Sequence, residues 1–277
     1  MKLPSLQGPR FAAFAAASAL VVAALASGCE SSPPEPTAAP DRKPEAAKDQ
    51  APGANGGLLT EKTSRPRIQL PKPTKKKISA KPVAEVKPSE DDPVKGKWTL
   101  ADATKGLPAG KALTATIETD QGDLECALFD DKAPITVANF VGLARGVRPW
   151  KTPEGKWEKK PAYDGTIFHR IIKGFMIQGG DAKKNGTGEA GYVIPDEVWE
   201  DANHDRPGLL CMANRGPNTN SAQFFITDEA AFHLDGGYTI FGECAPVDVV
   251  HKIASVPAVR EKPETPPVIK KVTITRK

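Results

Sequence analysis

From Glu30 to about Lys95 the chain has no aromatic side chain and few large aliphatic ones, and it alternates Pro, Ala, Lys and Glu. Such a segment cannot bury enough apolar surface to offset the entropy lost on ordering it. It is expected to be a solvated tether, and any core must come from the rest of the chain. Residues 30–111 hold 16 basic and 11 acidic side chains and 13 prolines, whereas 112–277 hold 20 basic and 23 acidic ones. The formal net charge of +4 therefore resides in the leader and tether. A basic nucleic-acid-binding face on the folded part is not expected. Lys72, Lys75, Lys76 and Lys77 read as a solvated charge run. Four cysteines are too few and too dispersed to build a disulfide scaffold. What remains is a unit of about 170 to 180 residues, large enough to bury its own core.

Residues 1–28 have the three parts of an export signal: Lys2 and Arg10 in front, an apolar run from Phe11 to Leu25, then small residues. The run, about 15 residues, is short for crossing a ~30 Å hydrocarbon layer, so export followed by cleavage is expected. Leu25-Ala26-Ser27-Gly28-Cys29 resembles a bacterial lipobox, with Leu25 one place earlier than is usual. The resemblance implies lipidation of Cys29, a membrane anchor and a cell-envelope location. The alternative is ordinary cleavage that leaves a free thiol. The expected organisation is a leader over 1–28, a linker over 29–96 and a folded domain over 97–277.

Order is expected to begin near Trp98, with a short capped helix at Thr99-Leu100-Ala101-Asp102 packed on the domain as a cover. Beyond it, period-two alternation predicts a hairpin of strands 113–119 and 124–129. A helix is expected over 133–145, started by Pro134 and stopped by Gly146. Further strands are read at 166–172, 175–178, 208–213, 222–227, 238–242 and 268–275, with a second helix at 247–254. Eight short strands without a βαβ rhythm predict a mainly β fold, a closed eight-stranded antiparallel β-barrel capped by two α-helices. Residues 148–161 read as a surface hairpin.

Several motifs fail on context. Gly186-Thr187-Gly188-Glu189-Ala190-Gly191 matches the dinucleotide fingerprint in letters, but no strand precedes it and no helix follows. It is read as a glycine loop. His169, His204, His233 and His251 have no partner at metal-ligand spacing, so no metal site is expected. Cys126 and Cys211 lie inside strand patterns as small buried hydrophobes, and whether either pairs with Cys244 stays open.

Two long segments carry a resemblance. Residues 163–181, YDGTIFHRIIKGFMIQGGD, and residues 208–227, GLLCMANRGPNTNSAQFFIT, resemble in order and spacing the two signatures of the cyclophilins. The resemblance covers about Ala112 to the end and implies peptidyl-prolyl cis-trans isomerase activity on an eight-stranded barrel. By position it implies that Arg170 is the catalytic arginine. Phe175, Met176, Phe225 and Leu234 hold the proline ring over Ala213, while Gln178, Asn214 and Gln223 align the substrate backbone. Gly186 lies beside the neighbouring subsite. His233 stands where many eukaryotic members carry a tryptophan that binds cyclosporin, and Tyr238 replaces a usual pocket histidine, so weak cyclosporin binding is expected.

The chemistry fits these residue types. Amide resonance sets a rotation barrier of roughly 18 to 20 kcal/mol. At the twisted transition state the lone pair returns to the prolyl nitrogen, and a permanently charged donor beside it binds that state better than the planar ones. No cofactor is required. The expected partners are proline-containing polypeptides, met by a monomer. The rival expectation is a tethered proline-binding chaperone or scaffold whose catalysis is incidental.

Overall fold

Alternation along each strand decides how this chain divides its side chains between two cores. The computed structural model describes residues 75–277; the leader, Cys29 and the first part of the tether lie outside the described residues. In chain order the elements are α1 (Leu100–Thr104), β1 (Leu113–Thr119), β2 (Asp123–Leu128), α2 (Pro134–Ala144), β3 (Trp150–Lys151), β4 (Trp157–Glu158), β5 (Arg170–Ile172), β6 (Met176–Gly179), β7 (Leu209–Met212) and β8 (Phe224–Thr227). A 3-10 turn (Phe232–Leu234), β9 (Ile240–Ala245), α3 (Val247–Ala254), β10 (Ala258–Val259), β11 (Lys262–Pro263) and β12 (Ile269–Arg276) follow.

Eight strands form one sheet in the order β12-β1-β2-β9-β7-β8-β6-β5, every neighbour antiparallel. The expected strand over 166–172 is bent: only Arg170–Ile172 pairs as β5, and Ile167 bridges Val268 just before β12. There Phe168 N donates to Pro267 O over 2.9 Å and Gly165 N to Ile269 O over 2.8 Å. The sheet thus curls until its two ends meet through these bonds, leaving little unpaired edge.

The main core lies inside the curl. Phe140 of α2 packs against Tyr163, Phe224 and Phe241, with ring centroids 5.1, 5.6 and 5.2 Å away. Both helices expected as caps pack into this cluster, α2 through Val137, Phe140 and Val141 and α3 through Val250 and Ile253. Pro134 opens α2 without a capping side chain on Ala133. Its free amides are instead met by the distant carboxylate of Glu197, which accepts from Ile135 N at 3.0 Å and Thr136 N at 2.7 Å. β7 and β8 are buried on both faces. Leu210, Met212, Phe224 and Ile226 point into the main core, while Leu209, Cys211 and Phe225 join Met176 in a second cluster on the outer face.

Cys126 and Cys244 are registered partners across β2 and β9 and form a disulfide, and Cys211 is free and buried. Residues 148–161 form the expected hairpin, β3 against β4. α1 carries the expected capping box, Thr99 with Asp102, and packs on α2, where Arg145 donates to the carbonyls of Ala103 and Lys105. Among the described residues no helix is long and apolar enough to cross a membrane.

The stretch read as solvated linker up to residue 96 is, from Lys75 onward, laid along the domain. Ile78 exchanges backbone and side-chain bonds with Asp201, Lys81 N donates to Val198 O over 2.9 Å, and Asp91 pairs with Lys151 of β3. Asp92, 2% exposed, accepts from Val94 N and Gly96 N, both at 3.0 Å. Composition misleads here because the strap needs no core of its own: main-chain bonds and a few polar anchors tie it to an existing surface.

Candidate functional site

The site is a row of side chains across the outer face of four adjacent strands. In register, Arg170 of β5 faces Gln178 of β6, Gln178 faces Phe225 of β8, and Phe225 faces Cys211 of β7. Period two sends Met176 and Gln178 outward and Ile177 inward. Strand pairing therefore gathers residues that stand up to 68 positions apart, from Arg170 to Tyr238, around one depression. Its apolar wall is Phe175, Met176, Phe225, Leu234 and Ala213; Tyr238 stands edge-on to Phe225 at 5.8 Å. Met176, Phe225 and Leu234 are buried, so the wall is preformed.

Arg170, Gln178 and Asn214 complete the lining. Arg170 Nε donates to Glu261 Oε2 over 2.7 Å and Nη1 to Gln178 Oε1 over 3.4 Å. Asn214 is held by Nδ2 on Gly237 O at 3.0 Å. His169, next to Arg170, is buried, and burial pushes its imidazole below the ordinary value, which keeps it neutral at pH 7. A second depression shares Gln178, Ala213 and Asn214 with the first and continues past Gly186, Gly188 and Gln223. The two together make a groove with an apolar slot and a polar extension. Arg215 and Glu189 form an ion pair at this second part.

Of the residues singled out in the sequence, Arg170, Phe175, Met176, Gln178, Ala213, Asn214, Phe225, Leu234 and Tyr238 line the apolar depression, and Gly186 and Gln223 line its neighbour. His233 lines neither; its ring tilts over Phe175 at 4.9 Å. The glycine run is a loop, as read, and its builder is Asp181, which sequence reasoning missed. The buried Asp181 carboxylate accepts from the amides of Lys183, Asn185 and Gly186 at 2.7, 3.1 and 2.6 Å. A Cβ at Gly188 would lie 1.7 Å from its Oδ1, so only glycine fits there. An Asp three residues before a Lys-Asn-Gly turn is an available signal for such a loop. Glu261, 91 positions from Arg170, had no signal at all. Among the described residues no group of three or more His, Cys, Asp or Glu could hold a metal ion.

The profile of the family described as "Cyclophilin type peptidyl-prolyl cis-trans isomerase/CLD" matches residues 114–274. The chain is 42% identical over 179 residues to peptidyl-prolyl cis-trans isomerase A of Mycobacterium tuberculosis, covering 63% of this chain and 98% of that one. It is 50% identical over 149 residues to peptidyl-prolyl cis-trans isomerase B of Streptomyces anulatus, 52% of this chain and 85% of the relative. A crystal structure of a Cryptosporidium parvum cyclophilin, solved in the presence of the dipeptide Ala-Pro, superposes with a TM-score of 0.52 at 33% identity. It covers 59% of this chain and 99% of that one. With the fold, the groove and these likenesses in agreement, the chain belongs to the cyclophilin-type peptidyl-prolyl cis-trans isomerases.

Proposed function

We propose that this isomerase turns X-Pro bonds by setting the Arg170 guanidinium against the prolyl nitrogen as it pyramidalises, with no covalent step. The carrying observation is the geometry of that side chain. It is tethered through Nε and Nη1 at the rim of an apolar slot, and Nη2 has no hydrogen-bond partner among the described residues. A charge-assisted hydrogen bond formed only at the transition state contributes about 1.5 to 3 kcal/mol, roughly ten- to a few-hundredfold in rate. The rest comes from holding the ring among Phe175, Met176, Phe225 and Leu234 while Gln178 and Asn214 grip the chain, so that one side of the bond turns against a fixed other. Exclusion of water removes solvent stabilisation of the polar planar amide.

The clients in this reading are proline-containing polypeptides of the cell envelope or secreted pool. It rests on the export-type leader and on Cys29 as a lipid anchor. His233, in place of a larger indole donor, supports weak cyclosporin binding. The test is the full chain on an Ala-Pro peptide, by exchange NMR, beside Arg170→Ala. Loss of about tenfold or more in kcat/KM fits the reading; activity within a few-fold of wild type means that catalysis rests elsewhere and favours a binding module. Cys29→Ala is expected to move the protein out of the membrane fraction, and nanomolar inhibition by cyclosporin would contradict the role given to His233.

A further inference from the structure

A guanidinium on an edge strand has four rotatable torsions and, at 41% side-chain exposure, no packing that selects one setting. In the described residues two groups select it. The Gln178 contact is long, 3.4 Å, whereas Glu261 Oε2 accepts from Nε at 2.7 Å. A carboxylate on Nε fixes the plane of the guanidinium, and Nη2 keeps no hydrogen-bond partner among the described residues.

Glu261 reaches this point from an unusual platform. β10 and β11 pair Val259 with Lys262, so Arg260 and Glu261 are the two residues of a tight hairpin turn. Both are left-handed, with φ of 50° and 68°, a conformation that such turns normally assign to Asn-Gly. The turn is pinned to the site strand, because Ile171 N donates to Glu261 O over 2.8 Å. A side chain that is not glycine, kept at a left-handed position and aimed at the reacting arginine, is strain held at a functional site. Stability gives no reason for it, since an ion pair 41% and 49% exposed is worth little to the fold.

We propose that Glu261 is a positioning residue: it orients Arg170 so that Nη2 meets the prolyl nitrogen, and it acts only through that arginine. The proposal rests on the reading of Arg170 as the donor. The test is a set of full-length variants in the Ala-Pro exchange assay, each with its melting temperature. Glu261→Ala is expected to lose about tenfold in kcat/KM. Glu261→Gln, which still accepts from Nε, is expected to stay within about threefold of wild type. Glu261→Gly relieves the left-handed turn and is expected to melt no lower than wild type while losing activity as Ala does, separating orientation from folding. In the Arg170→Ala background Glu261→Ala is expected to add no further loss. The proposal is overturned if Glu261→Ala or Glu261→Gly stays within twofold of wild type, if Gln is as poor as Ala, or if the loss persists in the Arg170→Ala background. If Arg170→Ala is itself active, the donor reading fails and Glu261 loses its role with it.

Discussion

Gln178 donates from Nε2 to Gln223 Oε1 over 2.9 Å while its own Oε1 accepts from Arg170. Gln223 continues the relay, donating from Nε2 to the carbonyls of Gly186 and Gly188 at 3.0 and 2.8 Å. One chain of amides thus joins the arginine to the glycine loop that walls the polar half of the groove. Gln223→Ala leaves two main-chain carbonyls and the Gln178 amide without partners, a penalty of about 1 to 3 kcal/mol. It is expected to lower the melting temperature by about 2 to 10 °C and kcat/KM by about tenfold. Calorimetry and peptide exchange check the two effects, and unchanged activity would dissociate the relay from catalysis.

The disulfide closes a long loop, with 118 positions between Cys126 and Cys244. In the chain-entropy picture a crosslink of that span contributes about 4 to 5 kcal/mol. Both sulfurs lie in the main core, apart from the outer cluster that holds the slot. The double variant Cys126→Ser, Cys244→Ser is therefore expected to melt at least several degrees lower and to keep wild-type kcat/KM at 10 °C. Equal melting of the oxidised and reduced protein would show that the bridge adds nothing.

Two buried imidazoles set the response to acid. Burial holds His169 and His204 below the ordinary value of 6.5, in His204 against the opposing pull of Asp235, whose Oδ1 lies 3.0 Å from Nδ1. The unfolded chain takes up protons near 6.5 while the folded one does not, so stability is complete above that pH and declines as pH falls through it. The slope is at most about 1.4 kcal/mol per pH unit for each ring. Melting curves between pH 7.5 and 5 should show the decline, and His204→Gln should flatten it; a midpoint independent of pH over that range contradicts the assignment.

The strap over 75–98 covers a buried cation. Arg148, 3% exposed, donates from Nη1 to Asn139 Oδ1 over 2.8 Å, and its Cζ lies 3.6 Å from the centre of the Tyr192 ring and 5.9 Å from that of Trp98. Asp92 offers it a favourable charge and holds the turn at Val94 and Gly96. Asp92→Ala is expected to cost about 1 to 3 kcal/mol and to open residues 75–97 to limited proteolysis without changing peptide turnover. A strap as resistant as wild type would remove Asp92 from that role.

Periodicity and punctuation in the sequence determined the eight strands, the two capping helices, the hairpin at 148–161 and the capping box at Thr99, because each is decided by neighbours within a few residues. The signature segments likewise carried Arg170, Phe175, Met176, Gln178 and Phe225, since these lie on the neighbouring strands β5, β6 and β8 and, for Phe175, on the turn that joins β5 to β6. Tertiary structure alone decided the rest. Whether Cys244 pairs depends on the register of β2 with β9; whether residues 75–96 are free depends on a surface built by residues as far as 155 positions later. Asp181 becomes the centre of a loop only when three amides fold back on it, and Glu261 reaches Arg170 only because a strained hairpin is pinned to β5. Local order follows from local sequence, whereas a contact between distant residues follows from strand register and close approach, and no short window of letters contains either.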